Sequence, residues 1–392
     1  MKRVLHVNDY APDALGGAEV VMTRTADLLR AAGYDVRTFT AADLPDRRLS
    51  AIRYLDNRVA RRALAKVLDT FRPAVVHLHN YYHLLSPGIL AVLADYKRAT
   101  AARVVMTAHD YHLVCPNSGG NWFRNGPRAI QPERIGSWAD TLCRRWDHRG
   151  WSYSVLKVAQ HVWHYRLRDR RRVIDLVLCP SRFLQDLVTL VGLRTAHVPL
   201  PNPPPGPPAG PRPERLTITF AGRIEPEKGL IPFLGGVRSG FNGRIQIVGD
   251  GADRRRVEEF VRARGLTNEV AFLGRRPHAE TLRLIAESHV VLLPSVVLEN
   301  YPLSLIEALA AGTNILASDL GGMREIVTDS GVGYLFTPGD ASQIADRLDR
   351  IAADHASGRL NAFDATAFLA GRDESAYREA IVRAYETGRG AA

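Results

Sequence analysis

Short apolar runs alternate with amphipathic stretches along both halves of the chain. Apolar residues recur at every second position in a half-buried strand and about every 3.6 positions in an amphipathic helix, and this difference separates the predicted strands from the predicted helices. In the first half they predict strands over Val4–Val7, Asp35–Thr40, Ala74–Leu78, Arg103–Thr107 and Leu176–Cys179, with a helix over Ala18–Ala32. In the second half they predict strands over Leu216–Phe220, Ile245–Val248, Val270–Leu273, Val290–Leu293 and Asn314–Ala317, and helices over Arg254–Arg264, Ala279–Glu287, Pro302–Ala311 and Ala341–Ala353. Such alternation is typical of an α/β protein with doubly wound parallel sheets.

A proline-rich segment, Pro199–Pro213, separates the two halves and can hold neither a helix nor a central strand. Segments of this composition act as semi-rigid connectors. We therefore predict an N-terminal Rossmann-like domain over residues 1–200, a linker over 201–213 and a C-terminal Rossmann-like domain over 214–365. The 392 residues suffice for two such cores. The remaining residues, 366–392, contain a predicted helix over Glu374–Thr387.

The formal net charge of +11 predicts an anionic partner, such as a phosphorylated substrate or an anionic membrane surface. Nucleic acid is not expected, because basic recognition motifs with interleaved aromatic residues and zinc-finger spacings are missing from the sequence. The three cysteines are too widely spaced for a disulfide framework. Polar residues occur too early for a signal peptide, and no apolar run could span a bilayer. These features predict a cytoplasmic protein.

The most informative segment of the second half runs from Glu299 to Glu307. Glu299 follows an apolar strand, whereas Glu307 lies on the helix that Pro302 is predicted to open. The free N–H groups and dipole of a helix start suit a diphosphate, and carboxylates accept hydrogen bonds from sugar hydroxyls. This arrangement indicates a site for a nucleotide sugar.

A second indication of a diphosphate site comes from Lys228, the only lysine after Lys157 in a chain that otherwise uses arginine. It lies in a loop with Arg223, directly after a predicted strand, where a compact ammonium group could bind pyrophosphate. Val248-Gly249-Asp250-Gly251 follows the next strand and is not a GxGxxG fingerprint, so a nicotinamide dehydrogenase is not predicted.

Three strand ends in the first half carry further candidates. Gly16-Gly17 leads into a helix and could approach an anion closely, although a plain turn explains it equally well. His77 and His79 end another strand, where alternation would bury one imidazole and point the other at the cleft, although a pair of histidines satisfied in the core explains them at least as well. His109 ends a third strand. The histidines and cysteines of this half match no recognised zinc spacing, so no metal site is predicted.

Taken together, these segments resemble the family 4 retaining glycosyltransferases. The resemblance is carried by Thr107-Ala108-His109-Asp110, by Arg223 with Lys228, by Gly249-Asp250-Gly251 and by Glu299-Asn300-Tyr301-Pro302-Leu303 through Glu307 to Glu325. It implies the GT-B fold, in which two Rossmann-like domains face each other across a cleft and a last helix, here within 366–392, crosses back to the first domain.

The resemblance also implies roles for individual residues. His109 and Glu299 would contact the donor sugar, and Arg223 and Lys228 would neutralise the donor diphosphate; these four are the predicted catalytic residues. Glu307 would contact the nucleotide ribose. The remaining predicted donor-binding residues are Gly16, Gly17, Gly222, Gly249, Asn300, Tyr301, Pro302, Leu303 and Ser304. Asp110 and Tyr111 are the predicted acceptor contacts.

The implied reaction moves a hexose from UDP or GDP to a hydroxyl acceptor with retention of anomeric configuration and without a metal or other cofactor. The acceptor would be a lipid-linked or growing cell-surface glycan. A soluble natural-product acceptor, a sugar-nucleotide epimerase and a non-catalytic binding protein are the alternatives. The epimerase would require N-terminal acid–base carboxylates that the sequence does not reveal.

The basic, aromatic stretch Arg144–Val173 predicts an amphipathic helix. Its apolar positions repeat at helical spacing, and arginines crowd its end. Two interpretations remain open: a helix lying on the inner face of an anionic membrane, or a helix packed on the domain with a solvated basic end. The repeating positions are Trp151, Val155, Ala159, Val162 and Trp163, and the arginines are Arg166, Arg168, Arg170, Arg171 and Arg172.

Overall fold

The computed structural model describes residues 2–11, 16–203, 206, 210–361 and 364–386. The chain divides into two compact units. The first takes in the described residues of 1–124, 130–201 and 374–392, and the second those of 125–129 and 202–373. Parts of the predicted linker (204–205 and 207–209), the residues directly before Gly16 (12–15) and the chain end from Thr387 lie outside the described residues.

The strands follow the apolar runs closely. In chain order they are β1 (Arg3–Val7), β2 (Asp35–Phe39), β3 (Val75–Leu78), β4 (Arg103–Thr107), β5 (Asn121–Phe123), β6 (Pro127–Ala129), β7 (Leu176–Cys179), β8 (Thr195–His197), β9 (Thr217–Ala221), β10 (Arg244–Val248), β11 (Val270–Gly274), β12 (Val290–Leu293), β13 (Asn314–Ser318) and β14 (Tyr334–Phe336). All are short, and the central strands β1, β3, β4, β9, β12 and β13 are almost entirely buried, as expected for strands covered on both faces.

The α-helices connect these strands. They are α1 (Gly17–Ala31), α2 (Ala51–Leu55), α3 (Arg58–Phe71), α4 (Ile89–Thr100), α5 (Trp138–Cys143), α6 (Trp151–His161), α7 (Arg182–Thr189), α8 (Leu230–Leu234), α9 (Arg254–Ala263), α10 (His278–Ala286), α11 (Leu303–Ala310), α12 (Gly321–Ser330), α13 (Ala341–Ala356), α14 (Thr366–Leu369) and α15 (Glu374–Glu386). Short 3-10 turns cover Ala41–Asp43, Pro132–Arg134, Arg170–Val173, Pro226–Lys228 and Arg359–Asn361, and Val162–Leu167 is a π-helix.

The first unit is built on a parallel sheet of order β2-β1-β3-β4-β7-β8. After β2 the chain returns to the other side of β1, so the strand order reverses between β1 and β3. In open α/β sheets, ligands bind outside the carboxyl ends of the strands at such a reversal. The loops that follow β1 and β3 are therefore the expected position of a site in this unit.

The second unit has a parallel sheet of order β11-β10-β9-β12-β13-β14. Relabelled from its first strand, this is the order 3-2-1-4-5-6 of the dinucleotide-binding fold. The reversal lies between β9 and β12. Ile218, Phe220, Val290 and Leu292 of these two strands belong to one buried core, which fixes the strand ends on which the following loops stand.

The predicted fold class is confirmed, and most of the predicted elements match within two residues. The stretch Arg144–Val173 is an exception. It contains α6, the π-helix and a 3-10 turn rather than one helix, because Gly150 and Asp169 take positive φ values of 136° and 40°. A chain in this conformation cannot continue a right-handed helix.

The last helix, α15, packs within the first unit. Its Tyr377 hydroxyl lies 2.8 Å from Thr25 Oγ1 on α1, and its Tyr385 hydroxyl lies 2.7 Å from His77 Nδ1 on β3. Both tyrosine rings are buried, so their apolar faces stabilise the docking while their hydroxyls keep hydrogen-bond partners.

Candidate nucleotide-sugar site

Lys228 and Glu299 meet where the strand order of the second unit reverses. The ammonium group of Lys228, in the loop after β9, donates to Glu299 Oε1 at 2.7 Å, and the Ser295 hydroxyl donates to the same oxygen at 2.6 Å. The two charged side chains are 23% and 20% exposed, so the pair faces solvent in part. Glu299 therefore keeps its second oxygen, and Lys228 its other protons, for further partners.

Arg223 lies on the same loop, five residues before Lys228. Its side chain is exposed and forms no ion pair with any of the described residues. A guanidinium outside an ion pair keeps its five N–H donors available for an anion. The loop after β9 thus presents two cations, of which only Lys228 has a carboxylate partner.

Glycines hold the backbones of this edge in close contact. A Cβ on Gly249, where φ is +139°, would meet the Gly222 carbonyl oxygen at 1.8 Å, and one on Gly229 would meet the Pro294 oxygen at 2.1 Å. Non-bonded atoms do not approach each other this closely, so only glycine fits these positions. Gly222 and Gly249 thus pack the loops after β9 and β10 together, and Gly229 packs the Lys228 loop against the residues that precede Glu299.

Helix α11 begins beside Glu299. Pro302 is its N-cap residue, and Leu305 N–H donates to the Pro302 carbonyl, so the N–H groups of Leu303 and Ser304 precede the helical ladder. Neither N–H group donates to an acceptor among the described residues, and such donors together with the helix dipole favour an anion. Pro302, Leu303 and Ser304 are partly exposed, whereas Asn300 and Tyr301 are buried and shape the loop from within.

Glu307 lies on the same helix, with a side chain that is 14% exposed. Burial raises the pKa of its carboxyl group, while His278, whose Nε2 lies 3.7 Å from Glu307 Oε1, opposes that shift. A carboxylate in this setting gains from hydrogen bonds to hydroxyl groups, which replace lost solvation. Its predicted contact with a ribose is therefore chemically reasonable.

In the first unit, Gly16 is the N-cap of α1 and Gly17 its first residue. A Cβ on Gly16 would come within 2.1 Å of Glu19 Oε2, whereas one on Gly17 would meet nothing within 4 Å. Glu19 in turn accepts from Asn8 Nδ2 at 2.9 Å and so links the helix start to the end of β1. The space in front of Gly17 leaves the backbone approachable.

His109 ends a chain of three hydrogen-bonded imidazoles. His109 Nε2 lies 2.8 Å from His79 Nδ1, and His79 Nε2 lies 3.1 Å from His6 Nδ1. The expectation that alternation separates His77 from His79 is wrong. Both are fully buried with stacked rings 4.6 Å apart, because residues two positions apart in a strand point to the same side.

Burial keeps these imidazoles neutral at pH 7. It lowers the pKa of His109 to about 4 and that of His6 to about 3, and it lowers the pKa of His79 well below its usual value. His6 Nε2 is buried without a hydrogen-bond partner among the described residues. An unpaired acceptor is more readily tolerated than an unpaired N–H, so we assign His6 as the donor to His79 and His79 as the donor to His109. His109 Nδ1 then carries a proton and can donate it in a hydrogen bond.

The two predicted acceptor residues differ in accessibility. Asp110 is partly exposed, accepts from the Tyr82 hydroxyl and accepts from His112 N–H at 3.0 Å. Burial raises the pKa of this carboxyl group to about 7. Tyr111 is 2% exposed and packs edge-on against Phe183, so it supports the loop from within.

Three residues of these sites are not predicted from the sequence. Ser295 shares Glu299 with Lys228, His6 ends the imidazole chain that His79 links to His109, and Asp9 follows β1 with its carboxylate fully buried. Asp9 accepts from three backbone N–H groups of residues 83–85. Its position directly after a buried strand was the available signal, because polar residues at strand ends are frequent site residues in this fold.

Two family models match the chain: Glycosyltransferase Family 4 over residues 15–200 and Glycosyl transferases group 1 over residues 208–366. The chain belongs to glycosyltransferase family 4. A phosphatidyl-myo-inositol mannosyltransferase of Mycobacterium leprae is 31% identical over 176 residues, 44% of this chain and 46% of that protein. A 2-deoxystreptamine N-acetyl-D-glucosaminyltransferase of Niallia circulans is 34% identical over 141 residues, 35% and 36% of the two chains. The alignments thus span less than half of these relatives.

Solved structures resemble this family 4 chain over nearly its whole length. Sucrose-phosphate synthase from Thermosynechococcus elongatus matches with a TM-score of 0.71 and 19% identity, covering 98% of each chain. The Anabaena protein HepE in complex with UDP and glucose matches with a TM-score of 0.64 and 17% identity, covering 99% of this chain and 100% of that one. At these identities the likeness establishes the fold, which is GT-B.

Proposed function

We propose that this chain is a retaining glycosyltransferase that moves a hexose from a UDP or GDP sugar to a hydroxyl group. In this reaction the acceptor oxygen bonds to the anomeric carbon, the bond from that carbon to the diphosphate oxygen breaks, and the acceptor proton passes to the leaving diphosphate. Attack on the face from which the diphosphate departs retains the anomeric configuration. No covalent sugar–enzyme intermediate is required, which sets this route apart from that of retaining hydrolases.

The proposal is supported mainly by the charged side chains that lie where the strand order of the second unit reverses, between β9 and β12. Lys228 and Arg223 offer two cations and the start of α11 offers free N–H groups, which together suit a diphosphate. Glu299, held by Lys228 and Ser295, keeps one oxygen for a sugar hydroxyl. Family membership and the UDP bound to the similarly folded HepE support the same ligand class.

The cations would act most strongly as the bond to the leaving group breaks. Negative charge then accumulates on the diphosphate, and groups already positioned against it stabilise the transition state more than the ground state. The same cations supply the countercharge that a metal ion would otherwise bring, so we propose a metal-independent reaction. His109, with a proton on Nδ1, would donate to a sugar hydroxyl and orient the anomeric carbon.

A thermal-shift screen against UDP, GDP, TDP and ADP sugars, each with magnesium or with a chelator, tests this proposal. We expect one or two bases to raise the melting temperature equally under both conditions. A ligand at 100 times its dissociation constant stabilises the native state by about 2.7 kcal/mol, which such a screen resolves easily. No shift with any nucleotide sugar would contradict the proposal, and a shift only with magnesium would contradict its metal-independent form.

Turnover with and without an acceptor separates the proposed transfer from its alternatives. An epimerase would convert the donor alone into its epimer, whereas a transferase would leave the sugar configuration of unreacted donor unchanged. A binding protein would show the thermal shift without turnover of any donor. Chromatography of the nucleotide sugars after incubation distinguishes these outcomes directly.

We further propose that the acceptor is a glycan or lipid-linked molecule and that the first unit rests on an anionic membrane surface. Helix α6 and the π-helix expose an apolar stripe, formed by Trp151, Val155, Ala159, Trp163 and Leu167. Trp163 lies under the Arg168 guanidinium, 4.0 Å from it, and Arg172 is 84% exposed nearby in sequence. Tryptophan beside arginine is the composition that favours a lipid interface.

Not every arginine of this stretch is available to lipid. Arg171 is buried and donates to the carbonyls of Leu113 and Tyr165, so it supports the fold instead. None of the helices in the described ranges is long and apolar enough to pass through a bilayer. The proposed association is therefore one of a surface helix, held by buried apolar side chains and by attraction to anionic headgroups.

Replacing Val155 with aspartate is expected to weaken binding to phosphatidylglycerol-containing vesicles roughly tenfold. The change removes an apolar contact with the bilayer and introduces repulsion between the aspartate and the anionic headgroups. Cosedimentation with vesicles measures this. Leu190→Asp is the matched control, because Leu190 on the same unit is as exposed as Val155, at 63% each, but lies outside the stripe. Equal binding by wild type and Val155→Asp, or equal loss in both variants, would reject the membrane surface.

A further inference from the structure

A pocket of about 480 Å³ lies where the strand order of the first unit reverses, between β1 and β3. Tyr10 follows β1 and His83 and Leu84 follow β3, so the pocket opens where ligands bind in doubly wound sheets. Its walls come from the segment around α2 and from α6 with the residues before it. The lining residues of these walls include Tyr54, Arg149, Tyr153 and Lys157.

The buried carboxylate of Asp9 holds the lining residues His83 and Leu84 in place. It accepts from His83 N–H at 2.7 Å, Leu84 N–H at 2.9 Å and Leu85 N–H at 2.8 Å. These three bonds tie the loop after β3 to the end of β1. The positions of His83 and Leu84 are thereby fixed before any ligand arrives, which lowers the entropic cost of binding.

The pocket wall carries two positively charged side chains, Arg149 and Lys157. Arg149 and Lys157 both pair with Asp147, at 2.9 Å and 3.1 Å, and the Asp147 side chain is only 2% exposed. One buried carboxylate is therefore shared by two cations that line the pocket. The lining residues include no aspartate or glutamate, so no carboxylate on the pocket wall opposes an acidic ligand.

The same wall offers aromatic surface. Tyr10 and Tyr153 are each 44% exposed, and the Arg149 guanidinium lies 3.9 Å from the centre of the Tyr153 ring. Tyrosine rings pack against the C–H faces of sugars while their hydroxyls form hydrogen bonds. With the cations beside them, these rings suit a sugar or polyol that also carries an acidic group.

We propose that this pocket binds the acceptor, and that the acceptor carries a phosphate or carboxylate group that pairs with Arg149 and Lys157. The inference rests on the proposed function, because it names the acceptor class for that reaction. It also agrees with the position of His109, which follows β4, the strand next to β3, at the same edge of the sheet. The acidic group is carried either by a soluble sugar or by a lipid headgroup.

Glucose and glucose 6-phosphate are the soluble probes, added to protein saturated with UDP or GDP so that the donor site is already filled. We expect glucose 6-phosphate to bind at least tenfold more tightly than glucose, and Arg149→Gln to remove roughly tenfold of that affinity, the usual contribution of a hydrogen bond to a charged group. Arg149→Lys should restore part of it. Arg98→Gln is the control, because Arg98 is an exposed arginine of the same unit, paired with Asp95 and remote in sequence from the lining residues.

Phosphatidylcholine vesicles with and without phosphatidylinositol form the second arm. If Arg149→Gln weakens binding only to the phosphatidylinositol vesicles, the acidic group is lipid-borne; if it weakens only glucose 6-phosphate binding, the acceptor is soluble. Arg149→Gln leaves Asp147 paired with Lys157, so the variant is expected to fold.

Neither probe responding to Arg149→Gln, while UDP or GDP still shifts the melting temperature, would overturn the acceptor inference alone. Failure of every nucleotide to shift the wild-type protein would instead overturn the proposed function. The two results are obtained on the same samples, so one failure cannot be mistaken for the other.

Discussion

Lys228→Ala is expected to lower the rate of sugar transfer roughly 100- to 1,000-fold, the loss typical of removing one preorganised donor to a developing negative charge. Lys228 stands at the strand reversal with Glu299 as its carboxylate partner, so its loss would affect the leaving diphosphate and the hold on Glu299 together. Because the charge on the diphosphate grows as the bond breaks, the effect should fall mainly on kcat rather than on donor affinity. Steady-state kinetics with saturating acceptor measure both parameters.

The matched control for this variant is Lys97→Ala. Lys97 forms a comparable, partly exposed ion pair with Asp175 in the first unit, with side-chain exposures of 31% and 25%. It follows no strand end and has no proposed contact with substrate. If the two alanine variants lose the same small amount of activity, Lys228 serves only as an ordinary ion-pair partner, and the proposed role at the diphosphate is wrong.

The sequence could predict the strand ends of this chain because strand positions depend on local pattern. Buried parallel strands are continuous apolar runs, so Val290–Leu293 and Arg103–Thr107 were located to the residue. Once the strands are placed in a doubly wound sheet, their carboxyl ends share one edge. Lys228 and Glu299, 71 residues apart in sequence, could therefore be assigned to one site before the ion pair between them was seen.

Other features depend on three-dimensional packing that no local pattern reveals. The imidazole chain joins His6 of β1 to His79 and His109, which follow β3 and β4, and their order depends on side-chain rotamers. The break in the basic stretch at Gly150 is set by backbone conformation, and the buried bonds of Arg171 depend on how the loop around Leu113 folds. Single-sequence reasoning identifies such residues as polar or basic but cannot say which of them face inward.

The pocket at Arg149 likewise has one feature that the sequence predicts and one that depends on three-dimensional packing. Its position follows from topology, because the loops after β1 and β3 must meet at the strand reversal. The charge of the pocket does not, because Arg149 and Lys157 lie 66 and 74 residues further along the chain than His83. Only the folded chain shows that these two cations share the single buried carboxylate of Asp147.

Gly322→Ala is expected to weaken nucleotide-sugar binding at least tenfold and to lower the stability of the second unit by about 1–3 kcal/mol, the usual cost of overpacking. A Cβ on Gly322 would lie 1.7 Å from the Asn300 carbonyl oxygen and 2.9 Å from that of Glu299. Both neighbours are backbone atoms, so relief requires the whole loop to move. Gly322 N–H also donates to the Glu299 carbonyl at 2.9 Å. Displacement of the loop that contains Glu299 and Asn300 would therefore break the hydrogen bond between this loop and α12.

Nucleotide-sugar binding is expected to weaken because the backbone and the side chain of Glu299 are both held by hydrogen bonds, from Gly322 N–H and from Lys228 and Ser295. If the loop moves away from α12, the Glu299 carboxylate leaves the position where Lys228 and Ser295 reach it. Thermal unfolding and titration with the nucleotide sugar identified by the screen measure the two effects. Gly17→Ala is the stability control, because its Cβ would meet nothing within 4 Å in the first turn of α1 and alanine favours a helix over glycine. Wild-type nucleotide affinity in Gly322→Ala would mean that the loop carrying Glu299 tolerates displacement, and that Glu299 is not a precisely placed donor contact.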